Sequence, residues 1–458
     1  MASTLRRSLP VLASVYLLGL SSTGFGPAAS PATQGGQSDE ILGHLSIVHL
    51  PDGQGGTVKT IRLTGANFQI VNGLGATNGS PADPSSLEPA EISANGLGNL
   101  IVGYNEFGNI NGNDRTGSHN VVFGYGNSFS SVGGIVGPRQ NTIEAPFASA
   151  SGGRANLASG IASSVTGGRG NRATGKNASI SGGLDNRAHG DASFVAGGFD
   201  NITSGLRSAI NGGANNRADG EESTVAGGSN NTASGNLASI NGGARNDALG
   251  VGAAVSGGRQ NKAFARYASI SGGNLNKTLA PYASIGGGAH NLAEGEGSTV
   301  SGGEHNIASG LGAVVSAGFY NSATGHAAGV SGGYRNLATG FGASVSGGAQ
   351  SRARGRAASI SGGFDNEALF LAASVSGGVE NHANARHAWI GGGRMNLAAG
   401  YASCVSGGFE NVARGSSSTV SGGAANDAAG VSSTVSGGKR RSAPNTSDWA
   451  AGALFEDR

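Results

Sequence analysis

A fifteen-residue period governs this chain from residue 133 to 438. Ser179-Ile180-Ser181-Gly182-Gly183 returns as Ser239-Ile240-Asn241-Gly242-Gly243, Ser269-Ile270-Ser271-Gly272-Gly273, Ser344-Val345-Ser346-Gly347-Gly348 and Ser374-Val375-Ser376-Gly377-Gly378, always offset by a multiple of fifteen. A period this short, repeated about twenty times without insertion, is the signature of a solenoid. Each copy makes one coil and hides its inner face only by stacking on the next. Composition agrees, because 87 glycines and 5% aromatic residues in 458 cannot fill ordinary globular cores. Collagen is excluded because glycine does not fall at every third position. Val, Ile and Ala return in fixed register, which disfavours disorder.

One coil can be read from the two-residue alternation of a strand. Over 178–192, Ala178, Ile180 and Gly182 share one side and Ser179 and Ser181 the other. The Ile180 position is Val or Ile almost throughout: Val165, Val195, Ile210, Val225, Ile240, Val255 and Ile270 belong to the same file. That file is the predicted core. After a Gly-Gly corner, Asn186, Ala188 and Gly190 recur while Arg187 and His189 vary, so the latter face solvent. Asn171, Asn186, Asn201, Asn216, Asn231, Asn246 and Asn261 form a second file, which lapses at Ser351 and resumes to Asn426. Stacked at rung spacing, their amides are expected to hydrogen-bond up and down the file. The fold class is therefore all-β, a parallel β-solenoid of two short strands and two turns per coil. Roughly twenty rungs at about 4.8 Å make a rod on the order of 100 Å long. One large apolar side chain per coil makes a thin core, so burial against sister chains is expected.

The run Asn336-Leu337-Ala338-Thr339-Gly340-Phe341-Gly342-Ala343-Ser344-Val345-Ser346-Gly347 resembles the head repeats of YadA-like trimeric autotransporter adhesins. The likeness covers residues 133–438. It implies a left-handed parallel β-roll, a homotrimer, and display on a Gram-negative bacterium to bind host matrix or one another; the partners expected of this chain are extracellular matrix, a glycan or a cell-surface ligand. The family's repeat is usually one residue shorter, and the second glycine of each Gly-Gly pair reads as the insertion. Its stalk and membrane anchor find no counterpart in residues 439–458, which carry neither heptads nor alternating apolar strands.

Outside the repeat the chain changes character. Arg6 and Arg7, the apolar run 9–20 and the small residues around Pro27 have the layout of a secretory signal peptide over 1–29, with a mature start near Ser30. The run is shorter than the roughly 20 residues a spanning helix needs, so no transmembrane segment is expected in the mature chain. Residues 30–94 are expected as a β-rich cap or attachment segment, with strands at 45–48, 58–63 and 68–71 and a linker at 81–89. Residues 95–132 read as atypical first coils, and 439–458, with Trp449 and Phe455, as a C-terminal cap. No helical period is apparent after the signal.

Several motifs invite chemistry and are better explained by the repeat. Gly170 to Lys176 matches most of a phosphate-binding loop, but Asn177 stands where Ser or Thr would hold magnesium. Asp185, Asp200, Asp365 and Glu410 occupy one variable position without forming the continuous acidic file that calcium-binding repeats need. The nine histidines make no metalloprotease pattern; His290 and His305 lie in equivalent coils, and His382 and His387 lie close in sequence. Cys404 is the only cysteine, so no intrachain disulfide framework exists. A formal charge of +2 shows no global bias toward nucleic acid. No catalytic residue, metal or cofactor is assigned, and the chain is expected not to be an enzyme.

The outward pair beside the Val/Ile file stays small and hydroxylated, as at Ser179 and Ser181, Thr299 and Ser301, and Ser344 and Ser346, with Trp389 as an aromatic exception. Packing against sister chains is the leading explanation for this face, and a hydroxyl array that binds ice or a crystalline polysaccharide is an alternative. Arg187, Arg217, Lys262 and Arg352 are variable outward residues expected to set ligand preference. The expected function is a secreted or surface-associated, adhesin-like structural rod acting by multivalent binding. A glycan-active solenoid enzyme is the further alternative.

Overall fold

The computed structural model describes residues 34–452. The signal-like segment 1–29, the start near Ser30 and Phe455 lie outside them. The chain divides into two compact units that part between Gln69 and Ile70.

In the first unit, helix α1 (Gln34–His44) precedes a hairpin of β1 (Leu45–Pro51) and β2 (Thr57–Leu63). The strands pair antiparallel, from Leu45 opposite Leu63 to Pro51 opposite Thr57. Asp52 builds the turn. Its carboxylate accepts the N–H groups of Gln54 and Gly56 at 2.8 Å each, and these bonds hold its pKa below the usual range. The hairpin matches the sequence reading; the helix departs from it. Two glycines in the first turn lower helix propensity, and Ile41 and Leu42 remain exposed, so no apolar stripe marks the segment. Residues 68–71 form no strand, and Asn72 just after them donates its N–H to His119 Nε2 at 3.1 Å.

The second unit is the solenoid, about 22 stacked coils of parallel strands. Its first residues are ordered on buried asparagines. Asn78 donates to the carbonyls of Asp83 (2.8 Å) and Ser86 (3.3 Å), so the stretch 81–89, expected as a linker, is wound against the unit. Three ladders then run along the rod. The valine ladder starts at Leu100–Val102 and ends at Trp449–Ala450; the alanine ladder runs from Ser128–Phe129 to Ser442–Ala443. A third column of single bridges passes Tyr125, Arg139, Arg154 and Arg169 and reaches Lys439.

The predicted core lies where expected. Val165, Ile180, Val195, Ile210, Val225, Ile240, Val255 and Ile270 are each at most 1% exposed. The alanine ladder supplies the opposite wall, and at the start of the rod it carries Phe129 and Ile143 in place of alanine, giving the first coils a bulkier core. Each buried Val or Ile contributes roughly 1.5–3 kcal/mol, and ladder hydrogen bonds tie every coil to the next.

The coils are not all of one length. Ile101 pairs with Val122, Val122 with Val136 and Val136 with Ala150, so a long first coil is followed by two of fourteen residues before the regular period begins. The fifteenth residue has a definite place in the coil. Gly137 and Pro138 separate Val136 from Arg139, whereas Ser151, Gly152 and Gly153 separate Ala150 from Arg154. The extra residue enters at the Gly-Gly corner. There the second glycine is the constrained one: Gly183 has φ +89, and a Cβ on it would lie 2.3 Å from the Gly198 carbonyl, whereas a Cβ on Gly182 meets nothing. At the other end, Thr434–Val435 pairs with Trp449–Ala450, so residues 439–450 continue the rod as one more coil. Trp449 there donates its indole N–H to Ser436 Oγ at 2.7 Å.

Candidate binding faces of the rod

Each coil turns at two corners, and the first is held by the asparagine file. Asn171, Asn186, Asn201, Asn216, Asn231, Asn246 and Asn261 are fully buried. Asn246 shows the pattern. Its Oδ1 accepts the backbone N–H of Asn261 in the next coil at 3.0 Å, and its Nδ2 donates to the carbonyls of Gly242 and Gly258 at 3.0 Å each. Each asparagine therefore bridges to backbone, so the expected amide-to-amide ladder is corrected: only a few side-chain contacts, such as Asn186 Nδ2 to Asn171 Oδ1 at 3.2 Å, follow it. Other backbone groups at this corner bond directly to the neighbouring coil, as the Ala244 N–H does to the Gly258 carbonyl at 2.9 Å, and the short amide serves those that do not, the Asn261 N–H and the Gly242 carbonyl. Ser351 keeps the chain of bonds with a poorer one, accepting the Asn366 N–H at 3.4 Å.

The outward side of the valine ladder is small and flat. Ser179 and Thr299 are half-buried by their stacked neighbours, while Ser181, Ser301, Ser344 and Ser346 are exposed. The Ser181 file is the more uniform, with serine at 301, 316, 331, 346, 361 and 376 in six successive coils. The Ser179 file is broken by Phe194, Ala209, Val314, Gly329 and Trp389, each in register with its neighbours. Trp389 stands between Ser374 and Cys404, with its indole exposed. Burial raises the Cys404 thiol above its usual pKa, which keeps it in the less reactive protonated form.

The opposite strand face is chemically varied. Arg187, Arg217, Lys262 and Arg352, expected to face a ligand, are each engaged by a carboxylate: Asp200 at 3.2 Å, Asp219 at 3.0 Å, Asp247 at 2.9 Å and Asp365 at 2.8 Å. A sequence read one coil at a time misses these pairs because most of them cross between coils. It also misses stacks of rings along the corners. His290, His305 and Tyr320 stack with centroids 4.7 Å apart, Tyr267 lies 5.6 Å from Tyr282, and Arg335 sits over Tyr334 at 5.0 Å. For the ring stacks, equivalent positions fifteen apart were the signal that could have found them.

The chemistry-like motifs resolve into repeat geometry. Residues 170–176 pass through a corner into the strand Arg172–Ala173 with no helix after it, so the phosphate-loop context is missing. His382 pairs with Glu367 at 3.4 Å while His387 packs edge-on against Tyr401, so the two histidines serve different contacts. Among the described residues, no three His, Cys, Asp or Glu side chains converge on a metal-sized site, and no helix is long and apolar enough to cross a membrane. Comparison of the chain with known families and with curated proteins finds no match.

Proposed function

We propose that this chain is an adhesin-like structural rod of the cell exterior that works as a homotrimer and binds by repetition rather than by catalysis. The observation that carries the reading is the asymmetry between its two long strand faces. The face outside the valine ladder stays small over most of the rod, while the face outside the alanine ladder bears Arg, Lys, Asp, Glu, His, Leu and Ile in turn. A small, flat file suits close approach of identical rods, and a varied face suits contact with something else. The two fourteen-residue coils lend support to the resemblance with YadA-like head repeats, whose usual period they share, and the left-handed sense belongs to the same reading. Secretion rests on the signal-like layout of residues 1–29.

The hydroxyl-array alternative is weakened by Phe194, Val314 and Trp389, which would lift a rigid planar ligand off the face. The test is a charge placed where sister chains would meet. Ser331→Glu with Ser346→Glu should convert the assembled protein to single chains while the β-rich circular dichroism spectrum is kept. An unchanged mass for the folded variant would remove this face from the interface.

A further inference from the structure

The start of the regular rod carries an arginine cluster that the rest of the rod does not repeat. Arg139, Arg154 and Arg169 are successive partners in the corner column, and Arg172 and Arg187 are register partners on the adjoining strand face. Coils stack at roughly 4.8 Å, so these side chains form two parallel lines of positive charge along the rod axis. Like charges directly opposite one another destabilise a sheet. Several other outward arginines are neutralised by a carboxylate, as Arg352 is by Asp365 and Arg354 by Glu367. Here Arg187 reaches Asp200, but among the described residues no carboxylate lies within ion-pair distance of Arg154, Arg169 or Arg172. Arg154, Arg169, Arg172 and Arg187 line a groove of about 500 Å³ together with Ile110, Asn111 and Asp185, and Arg139 lies outside it.

We infer that this groove binds an acidic polysaccharide strand lying along the rod. The arginines supply charge-assisted, bidentate contacts for carboxylate or sulfate groups spaced along a chain. Asp185 and Asn111 in the same groove suit sugar hydroxyls, which a bare phosphate polymer lacks. A nucleic acid strand is the poorer fit, because no aromatic side chain lines the groove to stack a base. The field of the cluster is felt nearby: His189 is held below its ordinary pKa by burial and then by Arg187 and Arg172. This inference rests on the extracellular binding reading and adds a ligand class to it.

The experiment measures binding of the full chain to fluorescent alginate oligosaccharide, neutral dextran and an oligothymidylate of equal charge. Alginate should bind in a salt-dependent way and dextran should not. Arg169→Ala with Arg172→Ala should weaken alginate at least about tenfold, given the strength of hydrogen bonds to charged groups. Arg259→Ala with Arg394→Ala, in the same corner column farther along the rod, should leave it unchanged. The substituted residues are exposed, so the fold should persist; Arg154→Gln serves as a milder second variant. Equal affinity for oligothymidylate, no alginate binding, or indifference to both cluster variants would overturn the inference. Light-scattering mass on the same samples reports assembly separately, so failure here is distinguishable from failure of the trimer.

Discussion

The two corners of each coil use glycine for different reasons, and the contrast explains where the repeat is strict. At the Gly-Gly corner the second glycine takes a positive φ and sits against the next coil's carbonyl and the asparagine amide, as Gly243 does with φ +84 and neighbours at 2.2 and 2.6 Å from a built Cβ. At the other corner, Gly235 keeps an ordinary φ but would place a Cβ 2.0 Å from the Gly250 carbonyl. The chain breaks the second rule and keeps the first. Ala265 and Ala280, and then Phe370 and Ala385, replace that glycine in consecutive coils. Crowding between neighbouring coils can be relieved when two coils shift together; a left-handed backbone beside a buried amide cannot be relieved that way.

Gly243→Ala tests the strict corner hardest. Combining a disfavoured φ with a backbone clash, it should cost about 4 kcal/mol and lower hydrogen-exchange protection in the coils on either side. Local exchange is the appropriate readout because a long repeat array does not unfold as one two-state unit. Asn246→Ala comes next. It leaves the Asn261 N–H and the Gly242 carbonyl without a partner and the Gly258 carbonyl with only the Ala244 N–H, at a cost of about 3 kcal/mol by the same measurement.

Gly235→Ala at the tolerant corner should cost about 2 kcal/mol, and the double change with Gly250→Ala should cost clearly less than the sum of the two singles. Additive costs would break the comparison, since the paired natural exceptions would then have no structural basis. Ser351→Asn should restore the file and stabilise its coil by about 1 kcal/mol. Gly242→Ala should change protection by no more than about 0.5 kcal/mol, since a Cβ there meets nothing.

Much of this fold is legible in the sequence because a repeat averages away local ambiguity. Val or Ile at fifteen-residue spacing fixes the buried file, and the flanking variable residues fix which sides face out. Where the period fails, so does the reading. Helix α1 carries no apolar stripe, the segment 68–71 leaves Phe68 and Val71 exposed with no strand partner, and residues 439–450 lack the Asn and Gly signals yet still complete a coil through Ala443 and Ala450. Asn186 is recognisable as a recurrent corner residue, but its bonding to backbone depends on the distance between corners, which spacing alone does not give. The surface is the least legible part. Ion pairs such as Arg187 with Asp200 and stacks such as His290 with His305 join residues that a single coil never contains together.

The decisive quantity is the solution mass of the purified chain, read by light scattering on a sizing column. The account predicts three times the mass of one chain, with the small face of the valine ladder buried between copies. A folded, stable monomer would contradict it and leave that face open to some other contact.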